Sequence, residues 1–487
     1  MRRVGRRLGK TMVCVVHTFY SFMRGVSSPE ALCRRAAQRG HRAVLCADRN
    51  GFYGLVRFLA AARRFGVDPI VGVHLEHEGR HVIAIARDLK GYEILCSWVS
   101  RRHLDPDFSL EKHFPDAGSH VVVISADAAF LHTVSSKAEA YVAVAAGPEG
   151  RRAVRLGRDL GLPSVAVHSV YFADPEDFSL HRLVRAIDTN STLSTLDPRE
   201  LASPEAWLKP PQDMACHFPH CPDAVARGEA LMRACCADWG RFETVFPHYG
   251  DGPEDRLNEL VRRCREGIAR RYGRSFPELE KRIAAELELI HVKGYVDYFL
   301  VVADIVGRRP IHCGRGSAAA SLVSYLLGIT HVDPLRHRLV FERFLNPHRT
   351  DHPDIDVDFP WDERDLLLEE VERLYGPQRF AMVANHVGFG ARAAVRETAK
   401  VYGMPAADIA EVTRRLSGWT RPERIGERIR SHPAFRGFAL DPPWPEILTL
   451  AARLEGLPRH LSVHCGGMVL APDRVDRRVP VERAAKG

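Results

Sequence analysis

The sequence predicts an α/β protein of more than one domain, and three observations carry that expectation. Short apolar runs alternate with helical stretches from Val13 to about Phe172. From about Pro175 to Arg274 the strand pattern is lost and the chain reads as mainly helical. The 487 residues also exceed what one hydrophobic core fills, since single cores stop growing near ~250–300 residues.

The apolar runs are Cys14 to Val16, Ala43 to Cys46, Ile70 to Val73, His81 to Ala86, His120 to Ile124, Ala140 to Ala145 and Ser164 to Val167. Strands of this length with helices between them predict βα units, a parallel sheet and an α/β or barrel-like domain. Pro29 to Arg39 is a typical connector, with Ser28 as its N-cap and Gly40 at its exit. Pro-rich interruptions fall at Lys209 to Pro211 and at Phe246 to Glu254, and a domain boundary is expected near the second. Ile283 to Val306 is a long apolar helical stretch interrupted at Gly294, leading through Arg308, Arg309 and Pro310 into a glycine-rich turn.

Composition narrows the class. With 45% hydrophobic and 27% charged residues the chain should fold. Lys and Arg number 69 against 61 Asp and Glu, a net +8 that favours polyanionic partners such as nucleic acid. Eleven cysteines without a repeating spacing predict reduced thiols in a cytosolic protein and no disulfide framework. Cys216, His217, His220 and Cys221 are crowded into six residues, poor geometry for one tetrahedral metal, so a loop before a helix is expected there. Arg2, Arg3, Arg6, Arg7 and Lys10 precede an apolar run, Met12 to Val16, that stops at His17, too short for an export signal. No stretch approaches the ~20 apolar residues of a membrane span, so a soluble, cytoplasmic protein is expected.

Two segments carry chemistry. Gly314-Arg315-Gly316-Ser317 forms a turn before the small residues Ala318 to Ala320. A helix N-terminus there would offer unpaired amides to phosphate, with Arg315 as a bidentate donor; many such turns serve only to cap helices. In Pro353-Asp354-Ile355-Asp356-Val357-Asp358-Phe359 the carboxylates fall at every second residue. In a strand they project one way while Ile355, Val357 and Phe359 point into the core. Their mutual repulsion is relieved by a hard divalent cation; an exposed acidic strand face is the bland alternative. A calcium loop is a poor fit, since no Gly follows and apolar residues alternate with the carboxylates.

These motifs, in order with Gly328-Ile329-Thr330-His331-Val332-Asp333-Pro334 and Phe341-Glu342-Arg343-Phe344-Leu345-Asn346-Pro347, resemble the palm motifs of the C-family, polymerase III alpha-subunit type of bacterial DNA polymerases. The resemblance continues through Tyr375-Gly376, Ala391 to Gly403 and Val463 to Gly467, and covers nearly the whole chain. It implies a polymerase-and-histidinol-phosphatase (PHP) domain, then a nucleotidyltransferase-type palm with a helical thumb insertion, truncated before the fingers. The implied divisions are a basic extension at 1–11, the PHP-like domain at 12–175, a helical connector at 176–250, palm at 251–400, thumb-like helices at 401–460 and a return to the palm at 461–487.

The function so implied is DNA-directed DNA polymerase activity in replication or repair, a nucleotidyl transfer with two Mg²⁺ ions. Asp356 and Asp358 would be catalytic and hold the metals, Asp354 could assist, and Gly314, Arg315, Gly316 and Ser317 would bind the nucleotide. Primer-template DNA and deoxynucleoside triphosphates would be the partners, with a second polypeptide carrying the fingers and C-terminal domains as a further one. Arg343, Arg396 and Lys400 suit phosphate contacts or plain salt bridges equally.

Two departures from the family pattern matter. Where the PHP pattern has metal ligands, this chain has Val15 and His17, Asp48 and Arg49, His74, and Ser169 and Tyr171. Too few ligands remain for a metal cluster, which implies a degenerate structural domain and points to the error-prone accessory branch. The family's third catalytic Asp follows the His464-Cys465-Gly466-Gly467 segment, and none of Asp473, Asp476 or Glu482 resembles it. The isolated chain is therefore expected to be inactive. The alternatives are a catalytically silent DNA- or nucleotide-binding remnant and one half of a split polymerase.

Overall fold

Seven strands close into a barrel: β1 (Val13–Val16), β2 (Ala43–Arg49), β3 (Asp68–His77), β4 (Arg80–Ala86), β5 (Gly118–Ser125), β6 (Ala138–Val144) and β7 (Ser164–Val170). Every apolar run expected to be a strand is one of them. This computed structural model describes residues 12–239, 245–249, 253–416, 425–431, 433–435 and 441–484. The expected extension at 1–11 and most of the expected boundary segment near 250 lie outside the described residues.

The sheet is not wholly parallel. β4 runs antiparallel to both β3 and β5, while the remaining pairs, including the closing β1–β7 pair, are parallel. The reason is local. Glu78 and Gly79, between β3 and β4, both have positive φ, 50° and 74°. That backbone reverses the chain at once, whereas a parallel return needs a crossover of about a dozen residues.

Strand alternation sorts the barrel's side chains. Val13, Val15, Leu45, Ala47, Ile70, Ile83, Ile85, Val122, Ile124, Val165 and Val167 form one buried cluster, closed by Leu231, Met232 and Cys235. The first two of these closing residues lie on the helix Pro222–Ala234. The opposite faces of the strands pack against surrounding helices such as Pro29–Gln38 and Leu55–Phe65. The Ser28 hydroxyl accepts from the Ala31 amide at 3.1 Å, and Gly40 leaves with φ 82°, as the capping pattern predicts. Cys216 ends the helix Pro211–Cys216 and Cys221 directly precedes Pro222–Ala234, so the Cys/His cluster is a turn before a helix. All eleven cysteines are free thiols.

The chain divides into two compact units. One comprises 1–242, 384–463 and 476–487; the other comprises 243–383 and 464–475. In the first, Phe178–Asp188, Ala391–Val401 and Trp444–Ala452 share a core in which Leu183, Ala394 and Ile447 are fully buried. Residues 384–400, expected with the palm, thus cluster with the barrel, because the apolar face of Ala391–Val401 is satisfied there. Arg396 and Lys400 on that helix both pair with Glu397, at 3.1 and 3.5 Å.

The second unit opens with the helices Pro253–Tyr272, Pro277–Val292 and Val296–Val306, the last two separated at Gly294, whose φ is 74°. Their core is built on Leu279, Ile290, Phe299 and Leu300 with Leu322, Leu326 and Phe344. Fully burying each such side chain contributes ~1.5–3 kcal/mol. Two short strands follow, β8 (Cys313–Arg315) and β9 (Asp356–Asp358), paired antiparallel. β10 (Phe380–Gly388) and β11 (Pro458–Leu470) form a further two-stranded ribbon. Among the described residues no helix is long and apolar enough to cross a membrane.

Candidate functional site

The glycine turn and the acidic strand, far apart in sequence, are hydrogen-bonded neighbours. β8 and β9 pair Cys313 with Asp358, Gly314 with Val357 and Arg315 with Asp356. Alternation works as expected: Asp354, Asp356 and Asp358 are exposed, while Ile355, Val357 and Phe359 are partly buried against the helical core. Asp354 precedes the regular strand. The neighbouring Ile355 amide donates to the Tyr298 hydroxyl at 3.1 Å, which fixes the strand's approach.

Arg315 lies over both carboxylates. Its Nε is 2.8 Å from Asp358 Oδ2 and its Nη1 is 3.7 Å from Asp356 Oδ2. The two carboxylates hold the guanidinium above its ordinary pKa, Asp358 most strongly. Sequence reasoning gave Arg315 a phosphate; the structure gives it the acidic strand. Gly316 turns the chain with φ 70°, and a Cβ there would come within 2.9 Å of Asp356 Oδ2. Arg315, Gly316 and Ser317 are all exposed.

The helix expected directly after the turn starts later. Gly316–Ala320 is a 3-10 segment, and the α-helix Leu322–Leu326 is capped by Ser321, whose hydroxyl accepts from Ser324 N at 3.1 Å. A residue not singled out from the sequence explains this. Glu286, fully buried, accepts from the Ser321 hydroxyl at 2.9 Å and from the Leu322 and Val323 amides at 3.1 Å each, with Arg282 Nε at 2.6 Å. Burial pushes its carboxyl up, opposed by Arg282 and the two amides. Leu279, Ile283, Glu286 and Ile290 are the buried positions of their helix, so a carboxylate on an apolar stripe was the available signal.

Gly314 sets the strand against its other neighbour. A Cβ there would lie 2.1 Å from Ile329 O, and Thr330 Oγ1 donates to Gly314 O at 3.2 Å. Gly314→Ala is therefore expected to lower stability by about 1–3 kcal/mol, read as a shift in the denaturant midpoint, because backbone has to move to admit one methyl.

Among the described residues no group of three His, Cys, Asp or Glu converges to hold a metal. The pair Asp356 and Asp358 still fits a magnesium-type ion. Such an ion takes one or two protein carboxylates and fills its shell with substrate phosphates and water.

The barrel's mouth is a second polar centre. The strand parity that buries Val15, Ala47, Ile70, Ile83 and Val167 continues outward to His17, Arg49, His74, His81 and Tyr171. His17 Nε2 lies 2.8 Å from His74 Nδ1, and its ring stacks on Tyr171 at 4.4 Å. Arg49 pairs with Glu76 at 2.5 Å. Burial chiefly, then Arg24 and Arg49, push His17 down to about 4. Asp48, the other PHP-pattern carboxylate, is turned away to Thr18 and Ser21, and burial raises it to about 6.

Comparison with known proteins gives these two centres a family. The model for the bacterial DNA polymerase III alpha NTPase domain matches residues 258–487, and that for the PHP domain matches residues 14–147. The chain is 31% identical to an error-prone DNA polymerase of Nocardia farcinica, covering 96% of this chain and 48% of that protein. It is 32% identical to an error-prone DNA polymerase of Symbiobacterium thermophilum, with 97% and 48% covered. To the DNA polymerase III subunit alpha of Escherichia coli K12 it is 28% identical, with 96% and 45% covered. The chain thus spans about half the length of these relatives. Its closed barrel is a PHP domain, its later part is a bacterial DNA polymerase III alpha NTPase domain, and in sequence it belongs with the polymerase III alpha and error-prone DNA polymerases.

Proposed function

We propose that the 243–383 unit is the nucleotide- and metal-handling part of a DNA-directed DNA polymerase. The observation that carries this reading is the antiparallel pairing that sets Gly314 to Ser317 against Asp356 and Asp358. In this reading 251–400 is palm, 401–460 thumb-like and 461–487 a return to the palm, while the barrel is a structural domain. Primer-template DNA and deoxynucleoside triphosphates are the substrates, and the setting is the cytoplasm. A second polypeptide bearing the fingers is the natural complement.

Mg²⁺ held by Asp356 and Asp358 would activate the primer 3′-hydroxyl and stabilise the leaving pyrophosphate. The protein's own part is positional. Exposed amides at Gly316 and Ser317 lie open to a triphosphate, and Gly316, lacking a Cβ, leaves Asp356 accessible. Arg315 neutralises the two carboxylates until their charge is otherwise met, and its planar fork then suits a phosphate. Asp354, exposed on the same face, is placed to assist.

Primer extension tests the reading. The chain with Mg²⁺, nucleotides and a fingers-bearing polypeptide is expected to extend a primer, and the chain by itself is not. Nucleotide binding without extension in every combination would favour a silent binding protein instead.

A further inference from the structure

The barrel mouth has an electrostatic character that a structural relic does not require. Arg24 and Arg49 both converge on one carboxylate, Glu76, at 3.9 and 2.5 Å, so two guanidiniums face a single negative charge. Arg102, whose Nε lies 3.3 Å from Glu76 O, has Glu482 as a counter-charge of its own. Arg24 Nε is buried with no hydrogen-bond partner. His81 stands at the rim, half exposed, 3.9 Å from Glu76, and its ring lies 5.3 Å from His74. His17 and His74 close the floor with their ring nitrogens in contact.

Such an array is hostile to a cation and suited to an anion. Guanidinium groups offer planar, paired donors that match phosphate oxygens. The imidazole at the rim adds a further donor, while the buried floor limits competition from water.

We propose that the barrel mouth is a phosphate-binding site in which Arg24 and Arg49, with His81, hold a phosphate dianion, and in which Glu76 occupies the guanidiniums when no anion is bound. The ligand chemistry is a terminal phosphate, either free or as a phosphomonoester. The site belongs to the barrel and is independent of Asp356 and Asp358.

The experiment is calorimetric titration of the chain, without divalent cations, with inorganic phosphate and separately with a deoxynucleoside 5′-monophosphate, at fixed ionic strength set with chloride. At least one is expected to bind, and which one does identifies the source. Arg24→Met is expected to weaken binding about tenfold, the loss of one charge-assisted contact. Glu76→Gln is expected to tighten it several-fold by removing the competing carboxylate. An ion-pair network with no ligand would only lose stability in that variant, and Glu76→Gln covers the case in which Arg24→Met fails to fold. Asp356→Asn with Asp358→Asn is expected to leave the titration unchanged. The proposal is overturned if neither probe binds, if Glu76→Gln does not strengthen binding, or if the Asp356/Asp358 double variant abolishes it.

Discussion

Asparagine at both 356 and 358 is expected to lower template-directed primer extension, in the assay complemented by a fingers-bearing polypeptide, by at least ~1000-fold. Metal-assisted charge stabilisation supplies several kcal/mol to the transition state, and each ~1.4 kcal/mol is a factor of ten. The fold should not notice. Both side chains are exposed on a three-residue strand whose packing is done by Ile355, Val357 and Phe359. Removing like charges from one face relieves repulsion, while Arg315 loses its counter-ions in open solvent. Extension assays beside melting curves separate the two effects: activity lost with the melting temperature kept is the expected pattern.

Glu286→Ala is expected to do the opposite, lowering stability by about 3–5 kcal/mol, the usual cost of breaking one partner out of a buried charged network. Glu286 has no solvent exposure, and its removal orphans the Ser321 hydroxyl, the Leu322 and Val323 amides and the Arg282 Nε together. Gln should recover only part of this, since one carboxylate oxygen becomes an amide donor facing donors. Urea unfolding of the wild type, Ala and Gln chains gives the order directly. Nucleotide binding should fall in step, because these contacts hold the segment that follows the Gly314 to Ser317 turn.

What could be read from the sequence follows the range of each signal. The alternation of Asp354, Asp356 and Asp358 with Ile355, Val357 and Phe359 is a local period of two, and the burial pattern reproduces it. The seven barrel strands were legible for the same reason. The antiparallel course of β4 was not, because it rests on two consecutive positive-φ residues, Glu78 and Gly79, and Glu rarely signals such a turn. The start of the helix at Leu322 was misplaced because Ala318 to Ala320 are good helix formers, yet Glu286, remote in sequence, fixes the cap at Ser321. Glu286 and Glu288 look alike in the sequence; only the apolar stripe tells the buried one from the exposed one. Arg315 was correctly singled out and given the wrong anion, because the pairing of β8 with β9 is non-local and sets it nearer to Asp358 than to any ligand.

The same non-local pairing is the basis of the functional reading, so the most direct test is Mg²⁺-dependent binding of a deoxynucleoside triphosphate to the chain, titrated for wild type and for the Asp356→Asn, Asp358→Asn double variant. Binding that strengthens with Mg²⁺ in the wild type and loses that dependence in the double variant is the predicted result. Nucleotide affinity that ignores Mg²⁺, or that keeps its full Mg²⁺ dependence without the two carboxylates, would contradict it.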